Sequence, residues 1–324
     1  MSDAPRLTPD RNLAMELVRA TEAAAIRAYP YIGHGDKNAA DGAAVDAMRA
    51  FLATVEFEGL VVIGEGEKDD APMLFNGELV GTRNGPRVDI AVDPIDGTSL
   101  TAAGRQNAIS VIAVADRGSM LDASSVYKMN KLVSGPEGVG IIDIRQSITD
   151  NIRAYSKANH KPVADMLIAV LDRDYNMGFI EEIRSAGAAT RLLRDGDVAA
   201  GIQAARADSR IDMALGIGGS PEGIVTACGI RALGGHIQGV LAPREQFEID
   251  AGLKAGLKFD HVYEANELVA SENTFFVATG VTDGALLQGV RKRGQIITTE
   301  SIVIRGKSGT VRTVYAEYQA SRWL

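Results

Sequence analysis

Apolar runs that stop at acidic residues mark the first third of the chain. The run 88–92 has the branched and small residues of a buried strand, and Pro94, which has no N–H to give to a sheet, predicts that pairing ends there. The run 60–63 predicts a second strand that leads directly into Gly64-Glu65-Gly66-Glu67. Two strands that both end in carboxylates can bring them together at one edge of a sheet.

Apolar residues at helical spacing predict two helices before these strands. A first amphipathic helix, ending near Tyr29, is predicted by Leu13, Leu17, Ala20 and Ala24. A second helix is predicted by Val45, Met48, Phe51 and Leu52. Asp41 lies just before this second set, so its position alone is consistent either with a helix N-cap or with a functional acid.

From about residue 151 strands alternate with helices. Strands are predicted over 166–171, 190–193, 211–215 and 236–241, and helices over 177–186, 198–205 and 220–233. Such alternation predicts a mostly parallel sheet covered on both faces, with ligands at the carboxyl ends of its strands. The tail from residue 273 predicts strands around one helix, with 302–304 and 311–318 as the clearest strands.

Composition narrows the class of protein. The 324 residues are 46% hydrophobic, and 34 Lys and Arg stand against 42 Asp and Glu without any basic run, which argues against nucleic-acid and membrane-surface partners. No apolar stretch approaches about 18 residues and the N-terminus does not resemble a signal peptide, so we expect a cytoplasmic protein. The single cysteine, Cys228, excludes an intrachain disulfide, and its apolar neighbours predict a packed helix residue.

The residues that follow the strand at 88–92 are of the types that form a ligand site. Asp93 and Asp96 stand three apart around a tight turn, where both carboxylates can converge on one cation. Gly97 and Thr98 offer backbone N–H groups and a hydroxyl where a helix can begin, which favours a phosphate. Taken alone, the two acids are also consistent with turn residues, and the hydroxyl with an N-cap.

These segments together resemble a known family. Asp93-Pro94-Ile95-Asp96-Gly97-Thr98, with the glutamate loop at 64–67, resembles the metal site of the lithium-sensitive phosphatase superfamily. Further segments, at 35–42, 62–74, 195–197, 216–223 and 298–308, resemble the class II fructose-1,6-bisphosphatases in the same order over nearly the whole chain. The resemblance implies an α/β fold, a layered α/β/α/β/α sandwich of two domains. We expect a metal-binding phosphatase domain over 1–150 and an α/β substrate domain over 151–324, whose C-terminal strands can pack back on the first.

The resemblance also implies roles for single residues. Metal ligands are implied at Asp41, Glu65, Asp93, Asp96 and Glu222. Water activation is implied for Asp69 with Thr98. Substrate contacts are implied for Asp96, Gly97, Thr98, Tyr127, Arg173, Asp174, Tyr175, Asp195, Gly196, Asp197 and Gly219. Five carboxylates without Cys or His form a hard oxygen site, which suits Mg²⁺ or Mn²⁺ better than zinc.

Some of these acids have a second interpretation. Glu222 is consistent with an acid in the first turn of a helix, where the helix dipole favours it. Asp195 and Asp197 are consistent with turn formers, and beside an anionic substrate they are useful only if they accept hydrogen bonds from sugar hydroxyls.

The implied reaction is hydrolysis of the C1 phosphate of fructose 1,6-bisphosphate to fructose 6-phosphate, in gluconeogenesis or the Calvin cycle, by a homo-oligomer (dimer or tetramer). Sedoheptulose 1,7-bisphosphate is a close second substrate, because it is also a ketose with a C1 phosphate. The alternatives are another sugar or inositol phosphatase of the superfamily, a non-catalytic sugar-phosphate binder, and a dinucleotide-binding protein. The last would use 216–223, which lacks G-x-G-x-x-G spacing.

One loop departs from the family pattern. Where the family usually has two basic residues, this chain has Arg173-Asp174-Tyr175-Asn176, so the second cationic contact is missing at Tyr175. Tyrosine donates one hydrogen bond but cannot form a charged fork on phosphate. Either affinity and substrate choice differ from the family, or another basic residue substitutes; the candidates are Arg231, Arg244, Arg305 and Lys307.

Overall fold

A computed structural model describes residues 13–66 and 73–323 of the chain. Its α-helices are α1 (Ala14–Ala28), α2 (Lys37–Leu52), α3 (Thr98–Ala102), α4 (Ile148–Ala158), α5 (Met177–Ser185), α6 (Val198–Ala204), α7 (Ser220–Leu233), α8 (Gln246–Lys254) and α9 (Ala265–Leu268). None of the helices in these described ranges is long and apolar enough to cross a lipid bilayer.

The first sheet combines strands from both ends of the chain. Its members are β1 (Glu58–Ile63), β2 (Leu79–Val80), β3 (Arg87–Asp96), β4 (Ile109–Asp116), β11 (Phe275–Gly280), β12 (Arg291–Arg293), β13 (Ile296–Arg305) and β14 (Thr310–Gln319). They lie in the order β12-β13-β11-β4-β3-β1-β2, and β14 pairs with β13. Because β1 and β3 are parallel, Ile63 and Asp96 end at the same edge of the sheet.

The second sheet has six strands within the described ranges and is mixed, which corrects the prediction of a mostly parallel sheet. Its members are β5 (Lys128–Ser134), β6 (Leu167–Leu171), β7 (Ala189–Leu193), β8 (Met213–Gly219), β9 (His236–Leu241) and β10 (Tyr263–Glu264), in the order β10-β9-β5-β8-β6-β7. Only the pairs β6 with β7 and β6 with β8 are parallel. The earlier strand β5 inserts antiparallel between β8 and β9, and this long-range pairing cannot be inferred from the local alternation of strands and helices.

The helices form three layers around the two sheets. Apolar residues of α1 and α2 cover the outer face of the first sheet, where Leu17, Met48 and Phe57 belong to one buried cluster. Helix α7 packs between the sheets and contacts β3, β4 and β11 on one side and β5, β8 and β9 on the other. Helices α4 and α5 cover the outer face of the second sheet through Ile152 and Ile183. The predicted α/β/α/β/α layering is confirmed.

Several local predictions are corrected by the structure. The N-cap of α2 is Asp36, whose Oδ1 accepts from the N–H of Ala39 at 2.9 Å, so Asp41 lies inside the helix. Strand β3 continues through Pro94 to Asp96, because a register shift between Asp93 and Asp96 accommodates the missing N–H. In the described part of the tail, residues 273–323, a 3₁₀ turn at Ala320–Arg322 is the only helical element, and the loop before β12 is irregular around Asp283.

Candidate active site

A cavity of about 380 Å³ lies at the junction of the two sheets and brings most of the predicted site residues together. It is lined by Asp41, Glu65, Asp93, Asp96, Gly97, Thr98, Arg173, Tyr175, Asp195, Gly196, Asp197, Gly219 and Glu222. Asp174 and Tyr127 do not line it, and Tyr127 is 57% exposed, with its ring 6.0 Å from that of Phe247. Asp69, predicted to activate water, lies outside the described residues.

The end of β3 positions the central acids. Strand β3 has a register shift between Asp93 and Asp96, and both acids line the cavity. Gly97 follows with φ of +97°, a left-handed conformation that a side chain would disfavour, and it turns the chain into α3. Thr98 is therefore the first residue of that helix, and it faces the same cavity as the acids.

Asp41 and Glu65 enter the cavity from the side of the first sheet. Asp41 is on α2, and Glu65 is in the loop after β1, where its N–H donates to the Leu74 carbonyl at 2.9 Å. The N–H of Gly64 donates to Asn76 Oδ1 at 2.8 Å. Hydrogen bonds from two successive residues therefore fix the backbone at Glu65. The charge of Asp41 acts on the carboxyl group of Glu65, so the two acids influence each other's pKa.

The loop after β7 brings the second sheet to Asp96. A Cβ on Gly196 would stand 3.0 Å from Asp96 Oδ1, and Gly196 has φ of +65°, so glycine permits both the turn and the close approach. The N–H of Val198 donates to Asp96 Oδ2 at 3.3 Å. Asp195 accepts from the Ser99 N–H and from Arg173 Nη2, each at 3.3 Å. These bonds connect the two sheets around the cavity.

Glu222 stands in the first turn of α7, as its alternative interpretation expected, but its environment is not that of a surface acid. Its Oε2 is buried and has no hydrogen-bond partner among the residues that the structure describes. A Cβ on Gly219 would overlap this carboxylate, because Glu222 folds back over the Gly219 backbone. A buried carboxylate oxygen without a partner is costly unless a cation or a ligand completes it.

The protein raises the proton affinity of this group of acids. Burial, with the charge and hydrogen bond of Asp41 and the charge of Glu222, raises the pKa of Glu65 to about 8. Burial, followed by the charge of Asp96, raises the pKa of Asp93 well above its usual range. Burial and neighbouring acids, Asp197 first, do the same to the pKa of Asp96, against the opposing charge of Lys131. Repulsion of this kind is relieved by a cation.

The donor set fits a hard divalent cation. In the described ranges no three His, Cys, Asp or Glu side chains are close enough together to hold a metal ion, so the acids surround the cavity at some separation. Mutual repulsion of carboxylates favours such spacing when nothing compensates their charge. The unpartnered Glu222 oxygen and the exclusively carboxylate character of the five predicted ligands nevertheless match the oxygen ligation of Mg²⁺ or Mn²⁺.

Sequence reasoning missed two lysines of β5. Lys128 lines the cavity, and the buried Lys131 donates to the Gly219 carbonyl at 3.1 Å and pairs with Asp197 Oδ2 at 2.6 Å. The signal was present, because Lys131 precedes the apolar residues Leu132 and Val133 of a buried strand, where an unpaired lysine is rare. A lysine at such a position predicts an acidic partner.

Comparison with known proteins agrees with this geometry. Residues 11–318 match the family described as bacterial fructose-1,6-bisphosphatase, glpX-encoded. The chain is 44% identical over 325 aligned positions, covering 96% of both chains, to fructose-1,6-bisphosphatase 1 class 2 of Escherichia coli strain K12. It has the same identity and coverage with the fructose-1,6-bisphosphatase class 2 of Shigella flexneri. The chain therefore belongs to the bacterial class II fructose-1,6-bisphosphatases, a family of metal-dependent phosphatases.

Proposed function

We propose that this protein hydrolyses the C1 phosphate of fructose 1,6-bisphosphate with Mg²⁺ or Mn²⁺, giving fructose 6-phosphate and phosphate. The observation that carries the proposal is the convergence of the five predicted ligands and Thr98 on one cavity, with a buried Glu222 oxygen that has no hydrogen-bond partner in the described part of the chain. The family match over residues 11–318 supports the substrate.

The residues around the cavity have different expected roles, which follow from their positions. Asp41, Glu65, Asp93, Asp96 and Glu222 would hold the metal. Such an ion supplies positive charge that neutralises the phosphate ester and helps to activate a water. The Thr98 hydroxyl, at the start of α3, would orient that water, with Asp69 as its predicted base.

The two acids of the second sheet are suited to the sugar. Asp195 is held by Ser99 and Arg173, and Asp197 by Lys131, so neither is free to turn away from the cavity. Carboxylates fixed in this way would accept hydrogen bonds from sugar hydroxyls. A ketose with a C1 phosphate presents such hydroxyls, and sedoheptulose 1,7-bisphosphate is therefore the second substrate to compare.

Phosphate release from fructose 1,6-bisphosphate with Mn²⁺ or Mg²⁺, with and without excess chelator, tests the proposal. Asp93→Asn keeps the shape of the side chain but removes one ligand charge, so we expect turnover at ordinary Mn²⁺ concentrations to collapse while the fold survives. Asp165→Asn, at an exposed aspartate that does not line the cavity, is the matched control. Undiminished hydrolysis in chelator, or near-normal turnover by Asp93→Asn, would refute the proposal.

Two further properties stay predictions. The cytoplasmic location and the homo-oligomeric state are expected from composition and from the resemblance to the family. Sedimentation of the purified protein at several concentrations would measure the number of subunits.

A further inference from the structure

The cavity is strongly acidic, although a bisphosphate substrate would bring two negatively charged phosphate groups to it. Among the described residues, seven acids line it, against two basic residues, Lys128 and Arg173. Arg173 already donates from Nη2 to Asp195 Oδ1 at 3.3 Å, so part of its donor capacity is used. A phosphate that is not hydrolysed is held most strongly by charged donors. The lining of the cavity supplies few of them.

We propose that Arg244 binds the phosphate that the enzyme does not hydrolyse, an inference that rests on the proposed bisphosphatase function. The Arg244 Cζ lies 4.0 Å from the centroid of the Tyr175 ring, and Tyr175 lines the cavity. Arg244 does not itself line the cavity, but it lies against Tyr175, the residue that replaces the second basic residue of the loop. None of the ion pairs among the described residues includes its guanidinium, and the charge of Arg244 acts on the nearby carboxylate of Glu248.

The contact with Tyr175 holds the guanidinium without consuming its donors. A cation over an aromatic ring is attracted by the electrons of the ring face, and this contact uses no N–H group. The N–H groups of arginine lie in the guanidinium plane and remain available for a bidentate contact with phosphate. Tyr175, which cannot itself form a charged fork, therefore serves as the support of a residue that can.

The backbone around Arg244 is fixed to the segment that borders the cavity. The buried Glu248 accepts the N–H of Arg244 at Oε2 and the N–H of Tyr127 at Oε1, both at 2.8 Å. The N–H of Ala242 donates to the Lys128 carbonyl, also at 2.8 Å. The residues after β9 are therefore joined to the start of β5, and Arg244 lies beside Tyr127 and Lys128 as well as Tyr175.

The other basic candidates are placed elsewhere. Arg305 is 5% exposed, donates to the Thr274 carbonyl and lies over Phe275, at the end of β11 opposite to Gly280, which pairs with Ile109 near the acids. Lys307 follows Arg305 in the turn at that same end. Arg231 is in the last turn of α7, about 13 Å along the helix from Glu222, and donates to the Ser271 carbonyl.

The test compares fructose 1,6-bisphosphate with fructose 1-phosphate, which keeps the reacting phosphate and lacks the distal one. For Arg244→Gln we expect the KM for the bisphosphate to rise about 10- to 100-fold with little change in kcat, while both constants for the monophosphate stay unchanged. Arg244→Lys should lose less, because lysine keeps the charge but cannot form the fork. Arg191→Gln makes the same change of charge in a neighbouring cavity and should behave as wild type.

Equal effects of Arg244→Gln on both sugars, or an unchanged KM for the bisphosphate, would overturn the inference. So would a loss of bisphosphate preference in Arg191→Gln instead. Calorimetric titration of the same proteins with both sugars measures the preference without turnover. The role of Arg244 and the proposed hydrolysis can therefore be refuted separately. Kinetics can confirm hydrolysis while Arg244→Gln has no effect on the bisphosphate, and titration can show preferential binding of the bisphosphate even if no phosphate is released.

Discussion

At the scale of one residue, substitution of Thr98 can distinguish substrate binding from the chemical step. It begins α3 and faces the same cavity as Asp93 and Asp96. Thr98→Ala removes the hydroxyl and leaves the backbone N–H groups, so we expect kcat to fall about 100-fold or more while KM stays near its wild-type value. Thr98→Ser is the matched control and should retain most of the rate. A raised KM at unchanged kcat would show that Thr98 binds substrate and does not orient water.

Lys131 is a buried cation among acids, and its removal should be costly. Its Nζ lies 2.6 Å from Asp197 Oδ2, and both side chains are largely buried. Lys131→Met leaves Asp197 uncompensated beside Asp96, so we expect the free energy of unfolding to fall by about 3 kcal/mol. Arg291→Met breaks the exposed pair with Asp283 and should cost at most about 1 kcal/mol. Similar losses in chemical denaturation of the two variants would contradict the assignment.

At the scale of elements, helix α1 is joined to the first sheet by an acid whose proton stabilises the fold. The buried Glu22 accepts from Thr299 Oγ1 at 2.9 Å and from the Tyr318 hydroxyl, and burial raises its pKa above 4.5. A raised folded-state pKa gives stability that is complete below the unfolded pKa and is lost as pH rises through the folded one.

Glu22→Gln should therefore gain in free energy of unfolding relative to wild type as pH increases above about 4.5. Denaturant titrations at several pH values measure that difference, and the Gln variant at the exposed Glu16 of the same helix is the control. A difference that is constant with pH, or that shrinks as pH rises, would mean that folding does not raise the pKa of Glu22.

Elements defined by local pattern were predictable, and elements defined by distant partners were not. The strand before Asp93 and the alternation from β6 to β9 follow from runs of apolar residues and short polar loops. The insertion of β5 between β8 and β9 depends on strands about 80 and 105 positions away along the chain, which local spacing does not encode. Asp41 was ambiguous because Asp36, five residues earlier, is an equally good cap.

In the candidate site, too, some residues could be predicted from local sequence and others depend on distant contacts. Its acids follow strand ends and were found from the sequence, whereas the ion pair of Lys131 with Asp197 joins residues that only the fold brings together. Arg244 is another example, since it is 69 residues from Tyr175 and its contact depends on the position of the segment after β9. Long-range contacts of single side chains therefore form the part of the site that the sequence leaves open.

At the scale of the whole molecule, acids from both sheets face one cavity and repel one another across the junction. Asp93 is in β3 of the first sheet, Glu65 follows β1 of the same sheet, and Asp197 follows β7 of the second sheet. A divalent cation that binds only the folded protein should raise the free energy of unfolding, by about 2.7 kcal/mol at 100 times its Kd. Calorimetry with Mn²⁺ and with chelator measures the shift in Tm. We expect a smaller shift for Asp93→Asn, and no shift for wild type would exclude a metal at this junction.

The helical layer between the sheets contains a buried cysteine whose reactivity reports on opening of the structure. Cys228, the only cysteine of the chain, lies on α7 with no exposed surface, and its Sγ is 3.7 Å from the Phe275 carbonyl oxygen and 3.8 Å from that of Val114. Burial raises the pKa of this thiol to about 12, so it does not react while the layer is closed. The rate at which an aromatic disulfide reagent modifies the native protein therefore measures how often the structure around Cys228 opens, without any engineered label.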